Sequence, residues 1–353
     1  MRDTRVASFH LPRWTEWCTT RSVQNTRVSG KVLLTGASGF IGGRLRDVLL
    51  EANVDVVALR RPGSPPAKKG RCVEVAYDDT AGLSRMMKSE KPDYVLHVAG
   101  ATKGVTYDDF RQANVMPTRN LIDVIQREHS GIKRFVHVSS LASYGPSTAT
   151  EPHTERAPRN PIEFYGQSKL EAERVVETLG ESIPWTIIRP SGVYGPGDVD
   201  YLNLFREIER GRNVYFGNRR RWFSCVYVDD LVEAILLATA HPNAAGNGFF
   251  ICDNAPVTWE SFQNAMIDVS GKRVRTIDLP EFFVTLGAVG GELATLVDKK
   301  PRLFNRQKAK MGAAEAWLCR SDFVRESLGW ASSVSLVDGI RRTFEWYRRE
   351  KWI

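Results

Sequence analysis

The chain has 353 residues, 42% hydrophobic and 25% charged, which is enough apolar material for one large core or two domains. Its formal charge of +8 invites nucleic acid as a partner, but the basic residues are dispersed. Small knots stand only at 219–221 and near the C-terminus, and no helix-turn-helix, zinc-finger or RNP-type pattern accompanies them, so no nucleic-acid partner is expected. The five cysteines (Cys18, Cys72, Cys225, Cys252, Cys319) include no C-x-x-C pair, which argues against a disulfide framework or a metal site and suits a reducing, cytoplasmic compartment.

Residues 1–30 carry five arginines against Asp3 and Glu16, without a continuous apolar run. The segment is not a secretory signal; it reads as a disordered extension, with a transit peptide as the alternative. Residues 31–42, KVLLTGASGFIG, follow, and the rest of the chain is arranged around them. Val32, Leu33 and Leu34 make a buried strand, glycines stand at 36, 39 and 42, and an amphipathic helix opens at Phe40. Strand, glycine turn and helix N-terminus form a cradle for a diphosphate, because the turn lets backbone approach and the helix end offers unpaired N–H groups. The spacing is G-x-x-G-x-x-G rather than the commoner G-x-G-x-x-G.

Residues 54–59 form the second strand, ending at Arg60-Arg61 before a Pro/Gly/Ser loop. An acid at this strand end would hold ribose hydroxyls, whereas an arginine accommodates the 2′-phosphate of NADP. Arg60 stands there with no acid, which predicts NADP, with NAD and a merely solvated arginine as alternatives. Strands are predicted at 72–76, 93–98, 132–138 and 184–188, and helices at 110–128 and 164–179. Alternating helices and apolar strands predict an α/β fold, a doubly wound parallel sheet.

After Asp198 the rhythm changes: helices near 201–210 and 229–240, and short strands near 214–216, 224–228 and 248–252. Residues 31–197 are thus assigned to a nucleotide-binding domain, and 198–353 mainly to a smaller α+β substrate domain. Part of the latter, 224–252, is expected to return to the main sheet. Residues 279–297 are nearly apolar but short for a span and interrupted by Glu292 and three glycines, so a buried helix or a lid is expected, with peripheral membrane contact as the alternative. A basic amphipathic helix at 336–352 is expected on the surface.

Tyr165 and Lys169 lie four residues apart on one helix face. A neighbouring ammonium would lower the phenol's pKa and let Tyr165 exchange a proton with a substrate oxygen, which Ser140, at the end of a strand, would hold.

At this point the sequence resembles the extended short-chain dehydrogenases/reductases, the NAD-dependent epimerase/dehydratase family. The matching segments are TGASGFIG (35–42), HVAGATKG (97–104), Asn114 opening NVMPTRNLI, VHVSSLASYG (136–145), YGQSK (165–169), IIRPSGVYGPGD (187–198) and VYVDDLVEAI (226–235). The resemblance implies a Rossmann-type domain, and Ser140, Tyr165 and Lys169 as the catalytic set. It also implies a cofactor lying against Gly36, Ser38, Gly39, Phe40, Ile41, Gly42, Arg60, Asp78, Ala99, Gly100, Tyr165, Lys169 and Pro190. Two departures bear on substrate: Ser191 and Phe223 stand where sugar-nucleotide epimerases carry an Asn and a diphosphate-gripping Arg, although Arg221 is near. The loop at 187–198 and the tail resemble the 3β-hydroxysteroid dehydrogenase and dihydroflavonol-reductase-like branches.

The reading that follows is an NAD(P)-dependent oxidoreductase acting on a secondary alcohol or ketone of a fairly apolar, sterol-like or lipidic small molecule. A sugar-nucleotide epimerase or dehydratase is the alternative, although Leu141 and Ala142 supply no acid beside Ser140 for dehydration. A non-catalytic nucleotide-binding regulator is the third. The resemblance also implies a homodimer through the helices at 110–128 and 164–179.

Overall fold

The computed structural model describes residues 28–65, 67, 69–280 and 306–353. The extension at 1–27 and most of the apolar stretch at 279–297 lie outside these residues.

Seven strands form one parallel sheet: β1 (Lys31–Thr35), β2 (Asp55–Arg60), β3 (Arg71–Glu74), β4 (Tyr94–His97), β5 (Arg134–Val138), β6 (Trp185–Pro190) and β7 (Asn247–Ile251). Their spatial order is β7-β6-β5-β4-β1-β2-β3. β4 and β5 are buried along their whole length, as strands covered on both faces must be. One face is covered by α1 (Phe40–Glu51) and, from much later in the chain, the helix Val228–Ala240; Leu45, Leu49, Leu231 and Ile235 share its core. The other face is covered by α2 (Thr80–Glu90), α3 (Met116–Glu128) and α4 (Phe164–Glu177), through Leu83, Leu121, Ile125 and Val176. The order of connection reverses between β1 and β4, which opens a crevice at the carboxyl ends of the strands.

β6 continues through Arg189-Pro190, where the sequence suggested a loop, because both residues register with Phe250 and Ile251 of β7. The sequence reading did not find α2; Asp79 caps it by accepting from the Gly82 amide at 2.8 Å.

An aromatic layer sits over the carboxyl end of the sheet. It is built from α5 (Leu202–Glu209), α6 (Trp259–Ser270) and α7 (Leu336–Arg349), with Phe205, Phe223, Phe262, Phe344 and Tyr347 at its centre. The sequence assigned α7 to the surface; it instead buries Ile340, Phe344 and Tyr347, and the Tyr347 hydroxyl donates to the Asp198 carbonyl at 2.6 Å. Small ladders complete this layer: Trp222–Phe223 between Val257–Thr258 and Ala316–Trp317, and Arg212–Phe216 beside Arg275–Leu279. Among the described residues no helix is long and apolar enough to cross a membrane, and Cys72, Cys225, Cys252 and Cys319 are free thiols.

Candidate active site

The crevice between β1 and β4 opens into a cavity of ≈ 1400 Å³ running from the glycine turn to the aromatic layer. Every site residue expected from the sequence lines this one cavity, from Gly36 and Arg60 at one end to Ser140, Tyr165, Lys169 and Pro190 in the middle.

The turn after β1 is shaped for backbone contact. Gly36 has φ +74°, and a Cβ there would stand 2.8 Å from the Ala99 amide nitrogen. A Cβ at Gly42 would run into the Gly36 carbonyl, so α1 packs directly on the turn. Arg46 fixes the turn from behind, its Nη1 donating to the Ala37 carbonyl at 2.9 Å. No side chain caps the start of α1, so its first amide groups are left to a ligand. An uncapped helix N-terminus behind a glycine-rich turn of small residues fits the diphosphate of a dinucleotide.

Beneath this end runs a buried polar chain. The Ala99 amide donates to Thr35 Oγ1 at 3.0 Å, Thr35 Oγ1 meets His97 Nδ1 at 2.9 Å, His97 Nε2 meets Thr118 Oγ1 at 2.9 Å, and Thr118 donates to the Asn114 carbonyl at 2.7 Å. Thr118 has spent its proton on Asn114, so His97 Nε2 carries the hydrogen and Nδ1 accepts. Burial, with a smaller contribution from Lys169, holds His97 neutral, its pKa pushed down to about 3. Asn114 sits in a π-turn over Arg111–Val115 and clamps the loop after β4: Oδ1 accepts from the Ala101 amide at 2.7 Å, and Nδ2 donates to the Ala101 carbonyl at 3.1 Å and to Ser168 Oγ at 2.9 Å. The sequence singled out Asn114 only as part of a matching segment; its clamp depends on contacts 13 and 54 residues distant.

Glu163 caps α4, its carboxylate accepting from the Tyr165 and Gly166 amides, both at 2.7 Å, and so sets where Tyr165 enters the cleft. Burial pushes the Tyr165 phenol up to about 12, against a hydrogen bond from the Ser140 side chain that favours the phenolate. The lowering expected from Lys169 is not found. Lys169 Nζ donates to the Val138 carbonyl at 2.6 Å instead, and burial lowers its own pKa to about 8.

Four residues further along α4, fully buried Glu173 ties this helix to two strand ends. It accepts from Ser139 Oγ, from Ser143 Oγ at 2.8 Å, from Arg189 Nε at 3.1 Å and Nη2 at 3.0 Å, and from Arg159 Nη1 at 3.3 Å. Nothing in the sequence reading picked out this group. Tyr165, Lys169 and Glu173 at i, i+4 and i+8 share a helix face, and that was the available signal.

At the glycine-turn end of the cavity, Asp78 lies exposed at the rim. The sequence placed no acid at the end of β2, but the fold brings one from the next strand: Glu74 of β3 is paired with Arg60. At the far end, Val199, Leu204, Val214, Phe216, Trp259 and Met311 line the cavity together with Arg219 and Arg221. Phe223 is buried and stacked on Trp259, ring centroids 4.3 Å apart. Arg221 reaches the cavity wall, and its Nη1 donates to the Gly312 carbonyl at 2.5 Å.

A family model described as "NAD dependent epimerase/dehydratase family" matches residues 32–252. The chain is 30% identical over 273 residues to a 3-beta-hydroxysteroid dehydrogenase of Mycolicibacterium neoaurum, covering 70% of this chain and 72% of that one. It is 27% identical over 333 residues to a ceramide reductase of Caulobacter vibrioides, covering 93% and 98%. Among solved structures, a UDP-glucose 4-epimerase from Thermotoga maritima with UDP-glucose superposes with a TM-score of 0.75 at 24% identity, over 91% of this chain and 99% of that one, which bears on the fold alone.

Proposed function

The chain belongs to the NAD dependent epimerase/dehydratase family, as an NAD-dependent oxidoreductase or epimerase, and we propose that it moves a hydride between nicotinamide and a secondary alcohol or ketone of a fairly apolar substrate. The observation that carries this reading is the far end of the cleft, where Val199, Leu204, Val214, Phe216, Trp259 and Met311 form an apolar wall beside Arg219 and Arg221, and residue 223 is a phenylalanine stacked in the core. Relatives named for a ceramide and for a steroid support an apolar substrate.

Gly36, Ser38, Gly39, Phe40, Ile41 and Gly42 would hold the diphosphate, Ala99, Gly100 and Pro190 the nicotinamide half, and Asp78 the adenine. Arg60 at the end of β2 favours NADP(H) over NAD(H). A bound nicotinamide dinucleotide supplies or takes up the hydride. Tyr165, with its pKa near 12, carries its proton at neutral pH and donates it to a carbonyl oxygen as charge develops there, which suits the reductive direction. Ser140 holds the Tyr165 hydroxyl and the same substrate oxygen. Lys169 would hold the nicotinamide ribose.

Arg219 and Arg221 on the far wall favour a second reading, a sugar-nucleotide epimerase whose diphosphate they would meet. The deciding experiment incubates the purified protein with NADPH or NADH and a panel of lipidic and steroidal ketones, alongside UDP-glucose. Reduction of a ketone with matching nucleotide oxidation is expected. Epimerisation of UDP-glucose with no ketone reduced would overturn the oxidoreductase reading in favour of the second.

A further inference from the structure

Arg60 faces the same cavity as the glycine turn, but its charge is already engaged. In the parallel ladder of β2 and β3, Arg60 is in register with Glu74, and the two side chains form an ion pair. Arg60 Nη1 also donates to the Ser64 carbonyl at 2.7 Å. Glu74 is not part of the cavity wall; it engages the guanidinium from outside it, with Arg60 half-buried (29% exposed) and Glu74 exposed (44%). The neighbouring Arg61 lines the cavity too, its Nε donating to Ser64 Oγ at 3.2 Å.

We propose that Glu74 is a specificity-determining positioning residue that tempers the preference for NADP(H). The proposal rests on the reading of the cleft as an NAD(P) site. A phosphate on the ribose 2′ oxygen needs the forked donors of an arginine and a net positive field. Glu74 occupies part of the Arg60 fork and adds a negative charge behind it, so the phosphate gains less than the arginine alone would offer. The ribose of NAD(H), which has no such charge, is indifferent to it. The site therefore accepts both nucleotides, and the acid on β3, fourteen residues from Arg60, sets the ratio between them.

The test measures dissociation constants for NADPH and NADH by fluorescence titration of the full-length protein and of its Glu74→Gln, Arg60→Gln and double variants. Glu74→Gln should tighten NADPH about fivefold and leave NADH unchanged, with the gain shrinking as salt is raised. In the Arg60→Gln background the gain should vanish. An unchanged NADPH:NADH ratio in Glu74→Gln, or a gain that survives without Arg60, would overturn the proposal. NADH affinity serves as the internal control for folding, and Glu74→Ala repeats the comparison. A parent protein that binds neither nucleotide would overturn the NAD(P) reading itself, and this proposal with it.

Discussion

Replacing Glu173 by Gln should remove about 3–5 kcal/mol of stability, the cost typical of breaking a buried ion pair by deleting one partner. The carboxylate is fully buried and Arg189 is only 3% exposed, so the guanidinium cannot recover its hydration. Arg159 is less affected, because Glu177 Oε1 remains 2.6 Å from it. Unfolding entropy of about 2.1 cal/mol/K per residue gives about 0.7 kcal/mol/K for this chain, so the melting temperature should drop by about 4–7 °C. Reversible urea and thermal melts at neutral pH read both numbers. Burial alone would raise the Glu173 carboxyl, but Arg189, Ser139 and Ser143 outweigh it and hold the group below its ordinary value. Its contribution is therefore complete above the unfolded value near 4.5 and is lost as pH falls through the lower folded value, so parent and variant should converge in acid. Replacing Glu173 and Arg189 together by apolar residues of similar volume should recover most of the loss. A loss below about 1 kcal/mol in Glu173→Gln, the range of an exposed pair, would refute the reasoning.

Four further outcomes are expected. Tyr165→Phe should lower turnover by about 10²–10⁴-fold and leave nucleotide affinity unchanged; retained turnover would remove Tyr165 from the proton path. Gly36→Ala should weaken both nucleotides by about tenfold or more in the same titrations, since φ is +74° and the new Cβ would meet the Ala99 amide. The rate of ketone reduction should fall as pH rises through about 8, where Lys169 loses its charge, and Lys169→Arg should move that limb upward. Light scattering should give a dimer mass if α3 and α4 pair with a second copy, and a monomer mass would contradict that expectation.

The strand, glycine turn and helix at one end of the cavity were legible because each of their signals is local. Apolar β1, the glycine turn and α1 are consecutive, and Tyr165 and Lys169 are joined by one helical turn. The far end was less legible. Arg221 and Phe223 are two residues apart, yet Phe223 is held in the ladder between Val257–Thr258 and Ala316–Trp317 and stacks on Trp259, whereas Arg221 precedes the ladder and reaches the cavity.

By itself the sequence determined the parallel α/β sheet, since strand and helix periodicity act over a few residues, and its matching segments marked the family to which the chain belongs. Only the tertiary structure decided what the charges do. Glu74 meets Arg60 through strand register, Glu173 of α4 meets Arg189 of β6 where the helix packs on the strand, and Lys169 turns to the Val138 carbonyl rather than to Tyr165. Each of these depends on which backbone or side chain the packed fold brings within a few ångströms: burial prevails at Tyr165 and Lys169, whereas at Glu173 the guanidinium and hydroxyl partners prevail over burial.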